Sequence, residues 1–272
     1  MVRYQRQVSL PEITALGQER LSEASVLILG VGGLGCPAAQ YLVGAGVGRV
    51  GVVDDDVVSM SNLHRQVLYR TDEVGQKKVP LAVKRLHELN PEVILEGYEE
   101  RLVEDNASAL IDRYDLVLDC TDNFRSRYAI NQASVELDRP LVSASLFQFE
   151  GRVAVFNYRG GACYRCLYPN IPSLEYVPNC SDTGVLGAAT GVLGSLQAME
   201  AIKIITGAGE VMSSKMAVID FLTGHFQVLK LSRRKNCPAC RGYRLYQSAE
   251  GPELSRRHPA LTSAHEDCGL GI

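Results

Sequence analysis

Residues 28–36 read ILGVGGLGC, set between the aliphatic run Val26–Leu29 and a stretch of small and apolar residues, Leu34–Ala45. A β-branched run that stops at glycines and resumes as a small-residue helix is the pattern of strand, turn, helix. Gly30, Gly32 and Gly35 have the G-x-G-x-x-G spacing, with Gly33 between them. In that setting the first glycine permits the tight turn, the second lets backbone approach a phosphate, and the third lets helix pack on strand. The spacing alone does not name a ligand, because a tight βα turn uses glycine with or without one.

Working outward, Val50–Val53 reads as a second buried strand and Val79–Leu89 as an amphipathic helix that stops before Asn90-Pro91. Leu116–Leu118 reads as a strand, 125–137 as a helix and 140–144 as a strand. Strands alternating with helices predict an α/β fold: a Rossmann-like, doubly wound, mostly parallel sheet with helices on both faces. Past Gly151 the texture changes. Val153–Phe156 predicts a strand, a turn-rich region carries CYRC, and 184–207 is an apolar, glycine-studded helix. Residues 216–221 and 226–231 flank Leu222-Thr223-Gly224-His225 and predict an antiparallel hairpin that extends the sheet. Residues 1–242 are expected to form a single domain and residues 243–272 a polar, flexible tail. A tail of that length is too short for a rhodanese-like second domain.

The 272 residues carry a formal charge of -3, which gives no electrostatic reason for nucleic acid or an anionic membrane as a partner. The N-terminal MVRYQRQVSLPEI lacks the apolar run of a secretion signal, so the cytoplasm is the expected location. Ser195, Gln197, Glu200 and Lys203 interrupt the apolar stretch 184–207, which predicts a buried helix of a soluble protein, not a membrane span.

Asp54, at the end of the second strand, stands where an acidic side chain accepts ribose hydroxyls. The next segment carries Asn62, Arg65 and Gln66, followed by Lys78. Two cations and two amides suit a triphosphate better than a nicotinamide dinucleotide, although both cations also have a plain reading as solvated surface charges. Asp122, in LDCTDN at 118–123, follows a strand at its carboxyl end. From local sequence it serves equally as a magnesium ligand and as the N-cap of the next helix.

Eight cysteines are present, and four of them form two CxxC pairs, Cys163/Cys166 and Cys237/Cys240. Two such knuckles supply four thiolates for a closed tetrahedral zinc, a structural site; redox dithiols are the alternative. Cys180, in VPNCSDTG before the apolar helix, is placed as a reactive thiol or as an inert loop cysteine. Cys36 and Cys120 read as small buried residues, Cys268 has no context, and His64, His87 and His225 lack any partner pattern that implies chemistry.

Taken together, RYQRQ, GVGGLG, DDDVVSMSNLHRQ, GQKK, DCTDN, CYRC, GVLGSLQAMEAIK and CPAC resemble the adenylyltransferases that activate ubiquitin-like sulfur carriers, the ThiF, MoeB and HesA family. The resemblance runs in order from about residue 3 to 241, and is shared more distantly with the adenylation domain of ubiquitin-activating enzymes. It implies that Asp54 binds ribose, that the glycine loop with Asn62, Arg65, Gln66 and Lys78 binds ATP, and that Asp122 binds Mg2+. Asp55 and Asp56 crowd the first assignment and Lys77 adjoins Lys78. It also implies a homodimer in which Arg6 reaches in trans into the partner's nucleotide site. The implied reaction joins the C-terminal Gly-Gly carboxylate of a sulfur-carrier protein to AMP with release of pyrophosphate. Sulfur then comes from a persulfide donor such as a cysteine desulfurase, and Cys180 aligns with a thiol that forms a covalent link to the carrier. CLYPNIP and PNCSDTG lean towards thiamine thiazole synthesis, with a molybdopterin-synthase subunit, another sulfur carrier or a tRNA-modifying adenylation as alternatives. From other classes, an NAD-dependent oxidoreductase and a non-catalytic zinc-stabilised binding module are the competing readings.

Overall fold

The computed structural model describes residues 2–172 and 184–241. Two helices, α1 (Gln5–Val8) and α2 (Thr14–Glu23), precede β1 (Ser25–Leu29), and the glycine loop then leads into α3 (Gly35–Ala45). The chain continues through β2 (Arg49–Val53), α4 (Lys78–Leu89), β3 (Ile94–Tyr98), α5 (Glu104–Ile111), β4 (Leu116–Asp119), α6 (Phe124–Glu136) and β5 (Leu141–Phe147). It closes with β6 (Glu150–Phe156), α7 (Tyr164–Leu167), α8 (Gly187–Thr206), β7 (Lys215–Asp220) and β8 (His225–Lys230). The eight strands form one sheet in the order β3-β2-β1-β4-β5-β6-β7-β8. The pairs from β3 to β5 are parallel and those from β5 to β8 antiparallel, as the two textures of the sequence predict.

β1 is buried along its whole length because helices cover both faces of the sheet, which is why its sequence is a continuous apolar run without alternation. One core lies beneath α3, α4 and α8 and includes Val26, Ile28, Leu42, Leu86, Leu193 and Ile204. The other lies beneath α5, α6 and α7 and includes Leu27, Leu29, Ile111, Ile130, Phe156 and Tyr164. The apolar stretch is a packed helix of this fold, and among the described residues no helix is long and apolar enough to cross a membrane. Its polar positions are spent inside the protein. The fully buried Gln197 donates to the carbonyls of Asp119 (2.8 Å) and Val142 (3.2 Å) and accepts from the Cys120 thiol, tying α8 to the ends of β4 and β5.

Five elements were not read from the sequence: α1, α2, α5, α7 and β3. β3 sits at the sheet edge with no fully buried residue, so its side chains lack the apolar signature of a core strand. It is held instead by Glu96, which takes hydrogen bonds from Tyr98, Tyr114 and Arg113.

The glycine turn leaves no room for a side chain at its third position. A Cβ on Gly35 would lie 1.9 Å from the Gly30 carbonyl oxygen, and Gly30 itself has φ +91°. Nothing lies within 4 Å of a Cβ on Gly44, on the same helix. Gly35→Ala is therefore expected to cost about 2 kcal/mol or more, because backbone must move. Gly44→Ala should instead gain up to about 1 kcal/mol from the entropy and helix propensity terms. Urea unfolding of the two variants beside the parent checks both.

Candidate active site

In the order 3-2-1-4-5, the chain leaves β1 towards β2 on one side and returns to β4 on the other, so a crevice opens at the carboxyl ends of these strands. The glycine loop, Asp54 and Asp122 all fall on this crest because each directly follows one of its strands.

The loop is fixed before any ligand arrives. Val31 donates its N–H to Asp54 Oδ2 (2.8 Å), while its carbonyl accepts from the Tyr69 hydroxyl (2.9 Å) and the Cys36 thiol. The Gly30 N–H is taken by the Val53 carbonyl. Gly32 faces more open space, with only the Gln66 carboxamide near the position of a Cβ, whereas Gly33 abuts Thr190 of α8. Backbone at Gly32 is thus accessible at the N-terminus of α3, where N–H groups favour an anion.

The crowded acidic and basic residues sort themselves by burial. The Asp54 side chain is 9% exposed against 66% for Asp56, and the Lys78 side chain is 4% exposed. Lys78 Nζ binds Asp56 at 2.8 Å and lies 3.9 Å from Asp54, while Lys77 turns to the Asp55 carbonyl. Burial raises the Asp54 pKa, and Lys78 opposes that shift. Asp54 and Lys78 are therefore the pair held within the crevice, and Asp55 and Lys77 lie outside it.

Asn62, Arg65 and Gln66 form one turn: the Asn62 carbonyl accepts the N–H groups of both Arg65 (3.0 Å) and Gln66 (3.0 Å). Gly187 fixes this turn against α8, since a Cβ there would meet the His64 carbonyl at 2.2 Å. The Gln66 side chain is buried beside Gly32, and its Oε1 has no hydrogen-bond partner among the described residues. An orphaned acceptor next to an accessible glycine is what a hydroxyl- or amine-bearing ligand would satisfy, and a nucleotide fits the donor set around it.

Asp122 is exposed at the end of β4. The cap of α6 falls to Asn123, whose side chain accepts the Ser126 N–H (2.9 Å). Sequence reasoning passed over its supports. Asp119, 1% exposed, accepts from the Ser143 hydroxyl and from both the N–H and hydroxyl of Thr121, and lies 3.9 Å from the Arg127 guanidinium. Arg127 in turn donates to the Thr121 carbonyl (2.8 Å). The signal was available, since an aspartate that ends an apolar strand must find donors once buried.

From Asp122 a cleft of about 540 Å³ runs over β5 and β6 towards α7, bounded by Phe124, Arg127, Arg152, Phe156, Tyr164 and Tyr168. Its walls are aromatic and aliphatic, with Asp122, Arg127, Glu150 and Arg152 as charged groups along it, the make-up of a site for an extended or small-molecule ligand.

Arg6 lies elsewhere. Its segment docks on the far end of α3, where Tyr4 covers Gly46 and Gln7 donates to the Ala45 carbonyl. The eleven residues of α3 put roughly 16 Å between that end and the glycine loop, so Arg6 is exposed and remote from the crevice of its own chain. Cys180 lies outside the described residues, as does the tail from 243 onward.

The four CxxC cysteines converge, with their sulfurs all within 4.8 Å of one another and all four residues buried. Sγ–Sγ distances of 3.5 Å (Cys166–Cys240), 3.6 Å (Cys163–Cys237) and 3.8 Å (Cys163–Cys166) approach the edge of about 3.8 Å that a tetrahedron of 2.3 Å Zn–S bonds requires. They are far from the roughly 2.05 Å of a disulfide. The cluster fits zinc in its four buried sulfurs and their spacing, and hydrogen bonds from Cys163 and from the Arg234 N–H lower the pKa of the Cys166 thiol. By contrast, burial pushes the Cys36 thiol up to about 12.

The ThiF family model matches residues 4–239. A sulfur carrier protein adenylyltransferase of Thermus thermophilus is 49% identical over 243 residues, 88% of this chain and 90% of that protein. Proteins named adenylyltransferase and sulfurtransferase MOCS3 from Anopheles gambiae and Sus scrofa are 46% and 52% identical over 99% and 88% of this chain. The chain spans only 59% and 53% of the length of those two relatives. A crystal structure of E. coli MccB with ATP has a TM-score of 0.79 at 21% identity, covering 88% of this chain and 74% of that one, and shares its fold.

Two outcomes are expected from the cysteines. Cys163→Ser should lose zinc and melting temperature together, read by metal analysis and calorimetry, because a structural site contributes folding free energy. In the native protein at pH 8, Cys36 and Cys120 should resist a thiol reagent until denaturant is added, as mass spectrometry of labelled peptides would show.

Proposed function

The chain belongs to the ThiF family, and from that premise we propose that it adenylylates the C-terminal Gly-Gly carboxylate of a ubiquitin-like sulfur-carrier protein with ATP. The observation that carries this reading is the continuity of two sites on one crest. A pre-set glycine loop with an orphaned Gln66 acceptor stands on one side of Asp122, and an aromatic-walled cleft opens on the other. A nucleotide on the first and an extended chain terminus in the second would meet at Asp122. The relative from Thermus thermophilus bears the name of this activity over nearly its whole length.

In this reading a carboxylate oxygen of the carrier attacks the α-phosphorus, the bond to the β-phosphate oxygen breaks, and pyrophosphate leaves with that electron pair. The nucleophile is already ionised, so no general base is needed. The difficulty is charge, because an anion approaches a polyanion. Arg65 and Lys78 supply cations on the nucleotide side, and Asp122 would hold Mg2+, which neutralises charge on the transferring phosphoryl. Asp54, fixed by the Val31 and Asp56 N–H groups, is offered to the ribose. Arg6 is remote from the crevice of its own chain, and the family resemblance supports its serving the site of a second copy in a homodimer.

The finer assignment concerns the carrier. CLYPNIP supports the thiamine thiazole route, while the MOCS3 relatives weigh partly towards the alternative, a molybdopterin-synthase carrier. A persulfide donor would then deliver sulfur to the activated carrier. Pyrophosphate exchange measured with each candidate carrier separates these routes.

Asp122→Asn and Arg65→Ala should each leave the fold intact and lower carrier-dependent ATP–pyrophosphate exchange by about 10²-fold or more. Near-parental exchange in both would sink the assignment. Mixed and refolded with Asp122→Asn, Arg6→Ala should regain activity through one competent site per heterodimer. Heterodimers that form but stay as inactive as either parent would remove Arg6 from the partner's site.

A further inference from the structure

The two CxxC knuckles read from sequence as a closed structural site, and in the structure the first of them also builds a wall of the cleft. Tyr164 stands between Cys163 and Cys166 on α7, is 4% exposed, and turns its ring away from the sulfurs. That ring meets Tyr128 (5.5 Å, 86°), Phe156 (5.6 Å, 83°) and Tyr168 (5.0 Å, 44°) and lines the cleft with the last two. Its backbone N–H is received by the buried Asn131 side chain at 2.8 Å. One turn later the Tyr168 hydroxyl accepts from Arg152 (3.0 Å) on the opposite wall, and the Tyr128 hydroxyl donates to the carbonyls of Tyr168 and Asn170. α7 has only four residues, too few to hold its conformation by helical hydrogen bonds alone. Cys163, just before it, and Cys166, its third residue, converge with Cys237 and Cys240 beyond β8, and a zinc bound there would fix its position.

We propose that the zinc knuckle is a positioning device for the acceptor site, with Tyr164 and Tyr168 acting as positioning residues that carry the order of the four-cysteine cluster into the wall against which the carrier's C-terminal segment lies. The inference rests on the reading of the cleft as the acceptor site. It separates the two substrates: Asp54, the Arg65 turn and Lys78 are not among the described residues that line the cleft with Tyr164, so losing the metal or the ring loosens the carrier site and leaves that part of the ATP site formed.

The test uses the full-length protein with zinc, the same protein after chelation, and the variants Tyr164→Ala, Tyr164→Phe and Tyr168→Ala with their zinc content measured. Two affinities are read below the melting transition. One is for a fluorescent ATP analogue, the other for a labelled peptide with the Gly-Gly terminus of whichever carrier supports exchange. Tyrosine fluorescence reports the wall directly, since the chain has no tryptophan and 12 tyrosines. Chelation and Tyr164→Ala should weaken the peptide about tenfold, the usual scale for truncating a buried contact aromatic, and shift the tyrosine signal. The nucleotide should change by less than about twofold, and Tyr164→Phe, which keeps the ring, should restore peptide affinity. If chelation unfolds the protein, zinc-loaded Tyr164→Ala and Tyr168→Ala carry the test. Peptide affinity unchanged in folded alanine variants, or both affinities falling together, overturns the proposal. Absence of exchange in the parent protein with every carrier defeats the functional reading instead.

Discussion

The approach of Gly35 to the Gly30 carbonyl is the contact on which the site depends. With no Cβ between them, α3 starts directly above the end of β1, and its first N–H groups face the crevice. That approach also fixes where Val31 can go. Its amide then reaches Asp54 and its carbonyl reaches Tyr69 and Cys36, so that β2 and the segment after it are tied to the loop. A phosphate site made of backbone gains from such rigidity, because little ordering remains to be done when the ligand binds.

The same economy governs the far side of the crest. Asp122 lies on a turn whose geometry is imposed from beneath by two buried polar side chains, Asp119 and Gln197. Leaving either with unsatisfied partners would cost about 1–3 kcal/mol per buried group, so the turn is over-determined. Gln197 comes from α8, whose first turn also packs on Gly33 and on the His64–Arg65 backbone. One helix therefore sets the relative position of the loop, the Arg65 turn and the Asp122 turn, three pieces that are far apart in the chain.

The antiparallel half of the sheet adds what the parallel half lacks, a floor for a second ligand. β6 pairs antiparallel with β5, the last of the parallel strands, and the cleft lies over both, bounded by residues of α6 and α7. The four cysteines close this half from outside, joining the segment after β6 to the segment after β8. A four-cysteine cluster that fits zinc stands here in place of the long helices that cover the parallel half.

The sequence by itself determined the strand–turn–helix at 28–45, the change from parallel to antiparallel strands after Gly151, and the four-thiolate cluster. Each is written in a local signal: a glycine spacing, an apolar period, a CxxC pair. It also supplied the residue types of the nucleotide side, and the structure sets Asp54 by Lys78 and the Gln66 side chain by the glycine loop, with Asn62 and Arg65 on the same turn as Gln66. Only the tertiary structure decided which of three adjacent aspartates and which of two lysines face inward, because burial depends on where α4 lands on the sheet and not on the residues themselves. It assigned the cap of α6 to Asn123 in place of Asp122, a choice of one residue that local sequence leaves level. It alone set Asp119 and Gln197 under the Asp122 turn, and Tyr164 in a wall shared by the thiolate cluster and the cleft. These contacts join residues up to 78 positions apart. No local pattern encodes them, since they exist only once the sheet has brought their strands together.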